Sequence, residues 1–382
     1  MSSSDGTSKI SSAWREMRQA LAEKRAARAF ATAGRKRGWS EQARRKFKAK
    51  LEVMQKRVAK LQKMWDEREE QTTVFVPVQV VDSGESRVLH KGDHNDVYAM
   101  VMDPAGRFAV SGHASGAVII YDLKAGTMKI IHHNEKPAVC ALAITADGRH
   151  AFAAGNGGDI WIIDTERGTA AKMINNTYSI NALVLSADEQ TLVASDTRGC
   201  LMAFDLLTRA RIWVSDNDDS PVLCLAIDPV AKHVFSGDDG GDIIQWDIAS
   251  GKKLNTNFSL EAGVLSLSFT PDGSKIVVGT DKKDIDVYSR SGDHIGSFDQ
   301  RTPTNAVAVA PDGKRFVATF DEKDIVFAEI HNDEVKIIRV LSGHTSFVNS
   351  LAVTPDGASV ISASTDGSVR LWKLQESAGE KV

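Results

Sequence analysis

The chain has 382 residues, 42% of them hydrophobic and 25% charged, with a formal net charge of −3. That is ordinary for a globular protein and excludes collagen-like, low-complexity and disulfide-scaffold classes. No run approaches the roughly 18 apolar residues of a membrane helix, and "MSSSDGTSKI" lacks the apolar core of a secretory signal.

Residues 1–12 read as a polar tail. Charge then divides the chain: residues 1–71 hold 19 Lys+Arg against 9 Asp+Glu, and the remainder 28 against 41. The basic part, residues 13–71, is expected to be a helical arm. Ser12 can cap a helix from Ala13 to about Ala33, rich in Ala, Arg and Glu. "GRKRG" at 34–38 breaks it. Ser40 can cap a second helix, with Glu41 favourable in its first turn. In that helix Phe47, Leu51, Met54, Val58, Leu61 and Trp65 recur at spacings of 4, 3, 4, 3 and 4. This is a short coiled-coil seam, a surface for a helical partner. Lys48, Lys50, Gln55, Arg57 and Gln62 flank it and offer a parallel copy no complementary charge. Arg35, Lys36, Arg37, Arg44, Arg45, Lys46 and Lys48 form a cluster suited to RNA or another polyanion. Packing of the arm on the body of the same chain is the third possibility.

"TTVFVPVQVV" opens a connecting strap at 72–84, which Pro77 restricts to an edge strand or an extended segment. "ESRVLHKG" at 85–92 is an isolated strand. From there the sequence repeats. Each copy has a first turn: "DPAGR" at 103, "TADGR" at 145, "SADEQ" at 186, "DPVAK" at 228, "TPDGS" at 270, "APDGK" at 310 and "TPDGA" at 354. The residues closing the third apolar run, Tyr121, Ile163, Phe204, Trp246, Tyr288, Ala328 and Trp372, are 42, 41, 42, 42, 40 and 44 residues apart. Seven four-stranded units at about 40–45 residues predict an all-β fold, a seven-bladed β-propeller over 85–374. A fourth run follows six of the copies, but after Trp372 comes only polar "KLQESAGEKV", of which 375–382 reads as a tail. The seventh blade therefore lacks its outer strand, and residues 85–90 are expected to supply it, removing an exposed edge.

Gly343-His344, Asp366, "RLWKL" and "IIQWDI", with weaker versions in "IIYDL", "WIIDT" and "MAFDL", resemble the tryptophan–aspartate (WD) repeat family over about residues 85–374. The plan of a helix before a propeller is similar to G-protein β subunits, although this arm is longer and more basic. The resemblance implies a hydrogen-bonded network of His344, Ser362, Asp366 and Trp372 inside the last blade. Only that copy has the full set, so the other six are expected to rely more on apolar packing. It also implies that the turns before the first and third strands of each blade meet around a central channel where partner peptides dock. Those turns carry thirteen acidic residues against six basic ones. Asp96, Asp238, Asp239, Asp281 and Asp321 are expected nearest the mouth, with Tyr98 and Phe347 for apolar contact.

Chemistry is absent from the motifs. There is no GxxxxGK[ST], HExxH, GxSxG or paired CxxC. His132-His133 would point to opposite faces of a strand, so the pair is a poor metal clamp. "GNGGD" at 155–159 reads as a turn, and "SDNDDSP" at 215–221 lacks the spacing and distal glutamate of a calcium loop. Cys140, Cys200 and Cys224 read as reduced structural thiols. No metal, cofactor or small-molecule substrate is expected. The expectation is a non-catalytic, cytoplasmic scaffold, with a mitochondrial or nuclear destination left open. The alternative is a ribonucleoprotein component whose arm binds RNA.

Overall fold

The computed structural model describes residues 74–77, 81–82, 86–91, 96–132, 137–216, 220–230, 232–282, 284–300, 302–331 and 334–374. The arm, with its helices, seam and basic cluster, lies outside the described residues. Among the latter are seven antiparallel sheets, five of them four-stranded meanders in chain order and two of five strands that also take strands from earlier in the chain. In each of blades 1 to 6 the strands run from an inner one to an outer one. Blade 1 has Val97–Met102, Phe108–His113, Ala117–Asp122 and Thr127–His132. Blades 2 to 5 begin at Val139–Ile144, Ile180–Leu185, Val222–Ile227 and Val264–Phe269. Blade 6 has Val307–Val309, Arg315–Phe320, Asp324–His331 and Glu334–Leu341. The inner strands of successive blades approach one another all the way round, including that of blade 7, Val348–Val353, against that of blade 1. The sheets therefore close into a ring.

Blade 7 is finished from the other end of the chain. Ser86–Lys91 pairs antiparallel with Ser368–Lys373, Ser86 opposite Trp372 and Lys91 opposite Ser368. The expected clasp thus forms, one residue later than 85–90. The strap does more than connect. Val74–Pro77 adds a fifth strand to blade 1 against Thr127–His132, and Val81–Asp82 adds one to blade 7 against Val88 and Arg87. Pro77 is the last residue of this edge strand, a position that tolerates proline.

The core lies between blades. Each of seven hydrophobic clusters joins residues of two neighbouring sheets. At the closing seam Leu89 of the clasp, Ile361, Ala363 and Val369 of blade 7 meet Val97, Met100, Ile119 and Tyr121 of blade 1. Fully burying a side chain of this size is worth about 1.5–3 kcal/mol. Polar ties reinforce the seam: the Asn349 amide donates to the Val97 carbonyl at 2.8 Å, and the Met100 N–H donates to Ser350 Oγ at 3.1 Å.

The repeated first turn has a common chemistry. Thr145, Ser186, Thr270 and Thr354 each donate a hydroxyl to the Asp two residues on, at 2.5–2.6 Å. Each also accepts the N–H that opens the second strand, at 2.9–3.1 Å. The Asp then accepts a turn N–H, as Asp147 does from Arg149 at 2.9 Å. This is why Ser/Thr and Asp recur there. The fourth position needs a positive φ, supplied by Gly148 (67°), whose added Cβ would lie 2.3 Å from Asp103 Oδ1. "SADEQ" has Glu189 there instead, at φ 54°. The third-strand closing Asp is a turn cap as well: Asp122, Asp164 and Asp247 accept N–H groups of Ala125, Arg167 and Ser250 at 2.7–2.8 Å.

Candidate docking face and its supporting network

The turns that precede the inner strands and those that join second to third strands share one face of the ring. Six inner strands begin with a register shift at their second residue: Tyr98, Cys140, Asn181, Leu223, Leu265 and Asn349. A bulge re-aims a side chain and bends the strand. Asn181 uses its position to donate to Val222 of the next blade at 3.0 Å, as Asn349 does to Val97. The Tyr98 hydroxyl donates instead to Asp96 Oδ2 at 3.3 Å. The bulge ring was not foreseen, although equal placement of these residues ahead of each first turn was the available signal.

The expected acidic residues fall into two kinds. Asp239 and Asp281 are exposed, Asp96 and Asp321 half-buried. Asp238 is only 3% exposed, and its Oδ1 accepts the N–H of Asp242 at 2.8 Å, so it holds a turn. Asp196 plays the same part in blade 3, accepting from Arg198 and Cys200 N–H groups at 2.9 and 3.2 Å. Glu322 is exposed beside Asp321, and the two have φ of 69° and 43°. The Thr302 hydroxyl accepts the Glu322 N–H at 3.0 Å, and the Glu322 carbonyl accepts that of Val348 at 2.8 Å. This hairpin is thereby fixed against the loop carrying Phe347, which is 44% exposed. Cations also stand on the face. Lys282 Nζ lies 3.3 Å from Glu261, and the Arg198 guanidinium stacks 3.5 Å from the centre of the exposed Tyr178 ring.

Beneath blade 7's part of this face lies the network. Trp372 Nε1 donates to Ser362 Oγ at 2.7 Å. Ser362 Oγ is 2.7 Å from His344 Nε2, and His344 Nδ1 is 2.9 Å from Asp366 Oδ2. One assignment satisfies all three bonds: Trp to Ser, Ser to a neutral His, and His Nδ1–H to the carboxylate. Burial holds His344 below its ordinary pKa against the pull of Asp366, which agrees with the neutral ring. Burial raises Asp366, but the hydrogen bonds it accepts from His344, the Ser368 hydroxyl and the Thr345 N–H outweigh it, and the carboxyl titrates far below the usual range.

The other blades are not purely apolar. In blade 4 Trp246 Nε1 donates to Ser236 Oγ at 2.8 Å. In blade 1 Ser111 Oγ lies 2.8 Å from His113 Nε2 and 3.1 Å from the Tyr121 hydroxyl. His113 thus arrives at the end of the second strand, not from the turn before the first strand that carries His344. Residues 155–159 do form a turn, with Gly158 at φ 76°. Residues 217–219 of the acidic loop lie outside the described residues. None of the three cysteines is in a disulfide, and burial pushes the Cys224 thiol up to about 12. Among the described residues no three His, Cys, Asp or Glu side chains gather as metal ligands, and no helix is long and apolar enough to cross a membrane.

Ring and clasp together define a seven-bladed β-propeller, and the network of its last blade resembles that of the WD-repeat class. The family model for "WD domain, G-beta repeat" matches residues 335–373. Two solved structures, "Structure of U3-55K" and "Crystal structure of RRP9 WD40 repeats", each superpose with a TM-score of 0.68 at 14% identity. They cover 76% and 78% of this chain and 99% of their own, a likeness of fold. Among curated relatives, "Eukaryotic translation initiation factor 3 subunit I" of Nematostella vectensis is 22% identical over 234 residues, 54% of this chain and 68% of that one. Its Bombyx mori counterpart is 24% identical over 42% of this chain, which spans about half (52%) of that relative's length. "Protein groucho" of Drosophila melanogaster is 24% identical over 41% of this chain and 22% of its own.

Proposed function

We propose that the protein is a non-catalytic scaffold that assembles other macromolecules, with the mouth of the propeller as docking platform and the basic N-terminal segment as tether. The observation that carries this reading is the exposure of Asp239, Asp281, Glu322 and Phe347 on one face of a rigid ring. A channel mouth with low-dielectric walls focuses a negative field and draws in cations, while Phe347 and Tyr98 supply the contact that charge alone does not secure. The partner is a Lys- or Arg-bearing peptide. Several relatives are by name subunits of a larger factor, which fits an assembling role. The test is titration of a synthetic octapeptide of alternating Arg and Leu into the wild type and into Asp239→Asn/Asp281→Asn. Slower, weaker and less salt-sensitive association by the variant supports the reading. Equal binding by the two reduces the acidic residues to a solvated surface.

The second reading is a ribonucleoprotein component, and the observation behind it is the cluster Arg35, Lys36, Arg37, Arg44, Arg45, Lys46 and Lys48. Binding of a single-stranded RNA through it weakens linearly in log salt, with a slope of about −0.7 per phosphate contacted. An interaction insensitive to salt but lost on Leu51→Asp and Leu61→Asp assigns this segment to a helical protein partner instead.

A further inference from the structure

On the mouth face a ring, a guanidinium and a carboxylate already meet once. In blade 3 the Arg198 guanidinium lies 3.5 Å from the centre of the Tyr178 ring. Its Nη2 and Nε donate to Asp196 Oδ2 at 2.9 and 3.3 Å. Tyr178 stands in the loop before the inner strand, Asp196 ends the second strand, and Arg198 sits in the turn to the third. A planar cation that stacks on a ring while its edge bonds a carboxylate is an arrangement arginine suits and lysine does not. The corner between blades 6 and 7 has two of the three parts. Phe347, 44% exposed, stands in the loop before the inner strand of blade 7, and the exposed Glu322 in the turn between the second and third strands of blade 6. Main-chain bonds fasten them together. The Glu322 carbonyl accepts the Val348 N–H at 2.8 Å, and the Phe347 carbonyl accepts the N–H and the hydroxyl of Thr365, both at 2.9 Å. Among the described residues no cation or second ring lies on Phe347, and no hydrogen bond or ion pair takes up the Glu322 carboxylate. Glu322 keeps that carboxylate at a φ of 69°, where the backbone alone favours glycine.

We propose that this corner is an arginine-selective subsite, in which the guanidinium of a partner protein lies on Phe347 and bonds Glu322 with its edge. The partner supplies the third part of a triad that blade 3 completes within the chain. The inference rests on the mouth as docking face and names the residue that face selects. Charge decides the class of partner. Residues 321–324 carry three carboxylates against the one ammonium of Lys323, a field that repels phosphate and admits a basic peptide. Lysine meets the charge of Glu322 but has no plane to lay on the ring, so arginine is preferred. The backbone bonds that fix both positions hold the site ready before the partner arrives, which lowers the ordering cost of binding.

The test titrates the full chain calorimetrically with the octapeptide of alternating Arg and Leu and with its counterpart of alternating Lys and Leu. The wild type should bind the lysine peptide about tenfold more weakly. Phe347→Ala should weaken the arginine peptide about tenfold and the lysine peptide little, so that the preference disappears. Glu322→Gln should weaken the arginine peptide about tenfold. Glu322→Gly should weaken it as much while melting no lower than the wild type, which separates lost binding from lost folding. Equal affinity of the wild type for the two peptides, or a Phe347→Ala variant that weakens both alike, overturns the subsite. Binding that Asp239→Asn/Asp281→Asn weakens and Glu322→Gln leaves untouched also overturns it, while the docking face stands. No binding of either peptide to the wild type overturns both readings. A single-stranded RNA whose binding is weakened by Phe347→Ala and Glu322→Gln likewise overturns the proposal, since the corner then takes a base and not an arginine.

Discussion

Replacing Asp366 by alanine tests the blade 7 network most directly. The carboxylate accepts from His344 Nδ1 at 2.9 Å, Thr345 N–H at 2.9 Å, and Ser368 N–H and Oγ at 2.8 and 2.5 Å. Thr345 is exposed, so its N–H exchanges the carboxylate for water at small cost. His344 is 3% exposed and Ser368 1%, so their donors lose a partner where water does not reach. A buried donor left unsatisfied costs about 1–3 kcal/mol. With two of them partly rescued by rotation of the Ser368 hydroxyl toward His344, already 3.1 Å away, the expected loss is about 2–3 kcal/mol. Asp366→Asn retains an acceptor and should lose about 1 kcal/mol. Equilibrium urea denaturation followed by tryptophan fluorescence measures both. Ser362→Ala should be markedly non-additive with Asp366→Ala, by about 0.5–3 kcal/mol, since both bond the one His344 ring. A loss under about 0.5 kcal/mol for Asp366→Ala, or strict additivity, would refute the network as a unit.

Deleting residues 1–91 should leave blade 7 with a bare edge and give insoluble or loosened protein, whereas deleting 1–71 should leave a cooperative fold; equal melting of the two would contradict the clasp. Leu89→Ala, at 4% exposure in the seam, should cost about 2–5 kcal/mol in urea denaturation. Acid should act through the turn aspartates. Asp272, bonded by Thr270, the Ser274 N–H and its hydroxyl, is held down to about 2. A depressed carboxyl stabilises fully above its unfolded pKa of about 3.9, so that contribution should fade between about pH 4 and pH 2, and Asp272→Asn should flatten the loss. Glu322→Gly should raise stability by about 1 kcal/mol in a thermal melt, because glycine adopts a positive φ without the strain of a Cβ.

The repeat was legible because each blade marks its first turn and its closing residue in the same phase, and the orphan strand was legible because seven third strands had six fourth strands. The strap was not. Val74–Pro77 pairs with residues 50 to 56 positions later, and nothing local in "TTVFVP" distinguishes an edge strand from an extended tether. On the mouth face, an Asp in a turn reads alike whether it caps the backbone or meets solvent. Asp238 and Asp239 are adjacent, and only the tertiary register buries one and exposes the other. The partial networks of blades 1 and 4 escaped for a related reason: Ser111 and Ser236 are unremarkable serines until Tyr121 and Trp246 are set beside them by the ladder.

The register of the clasp has a mechanical consequence. Ser86, where the chain enters the ladder, lies opposite Trp372, where it leaves, so both chain ends depart from the same end of the pair. Tension between the ends therefore loads the strand pairs one after another, as in opening a zipper, not all at once as in shear. A seam that is thermally secure by virtue of its buried residues is compliant to a pull along this one direction. A load applied between two other blades meets a continuous chain and finds no such starting point.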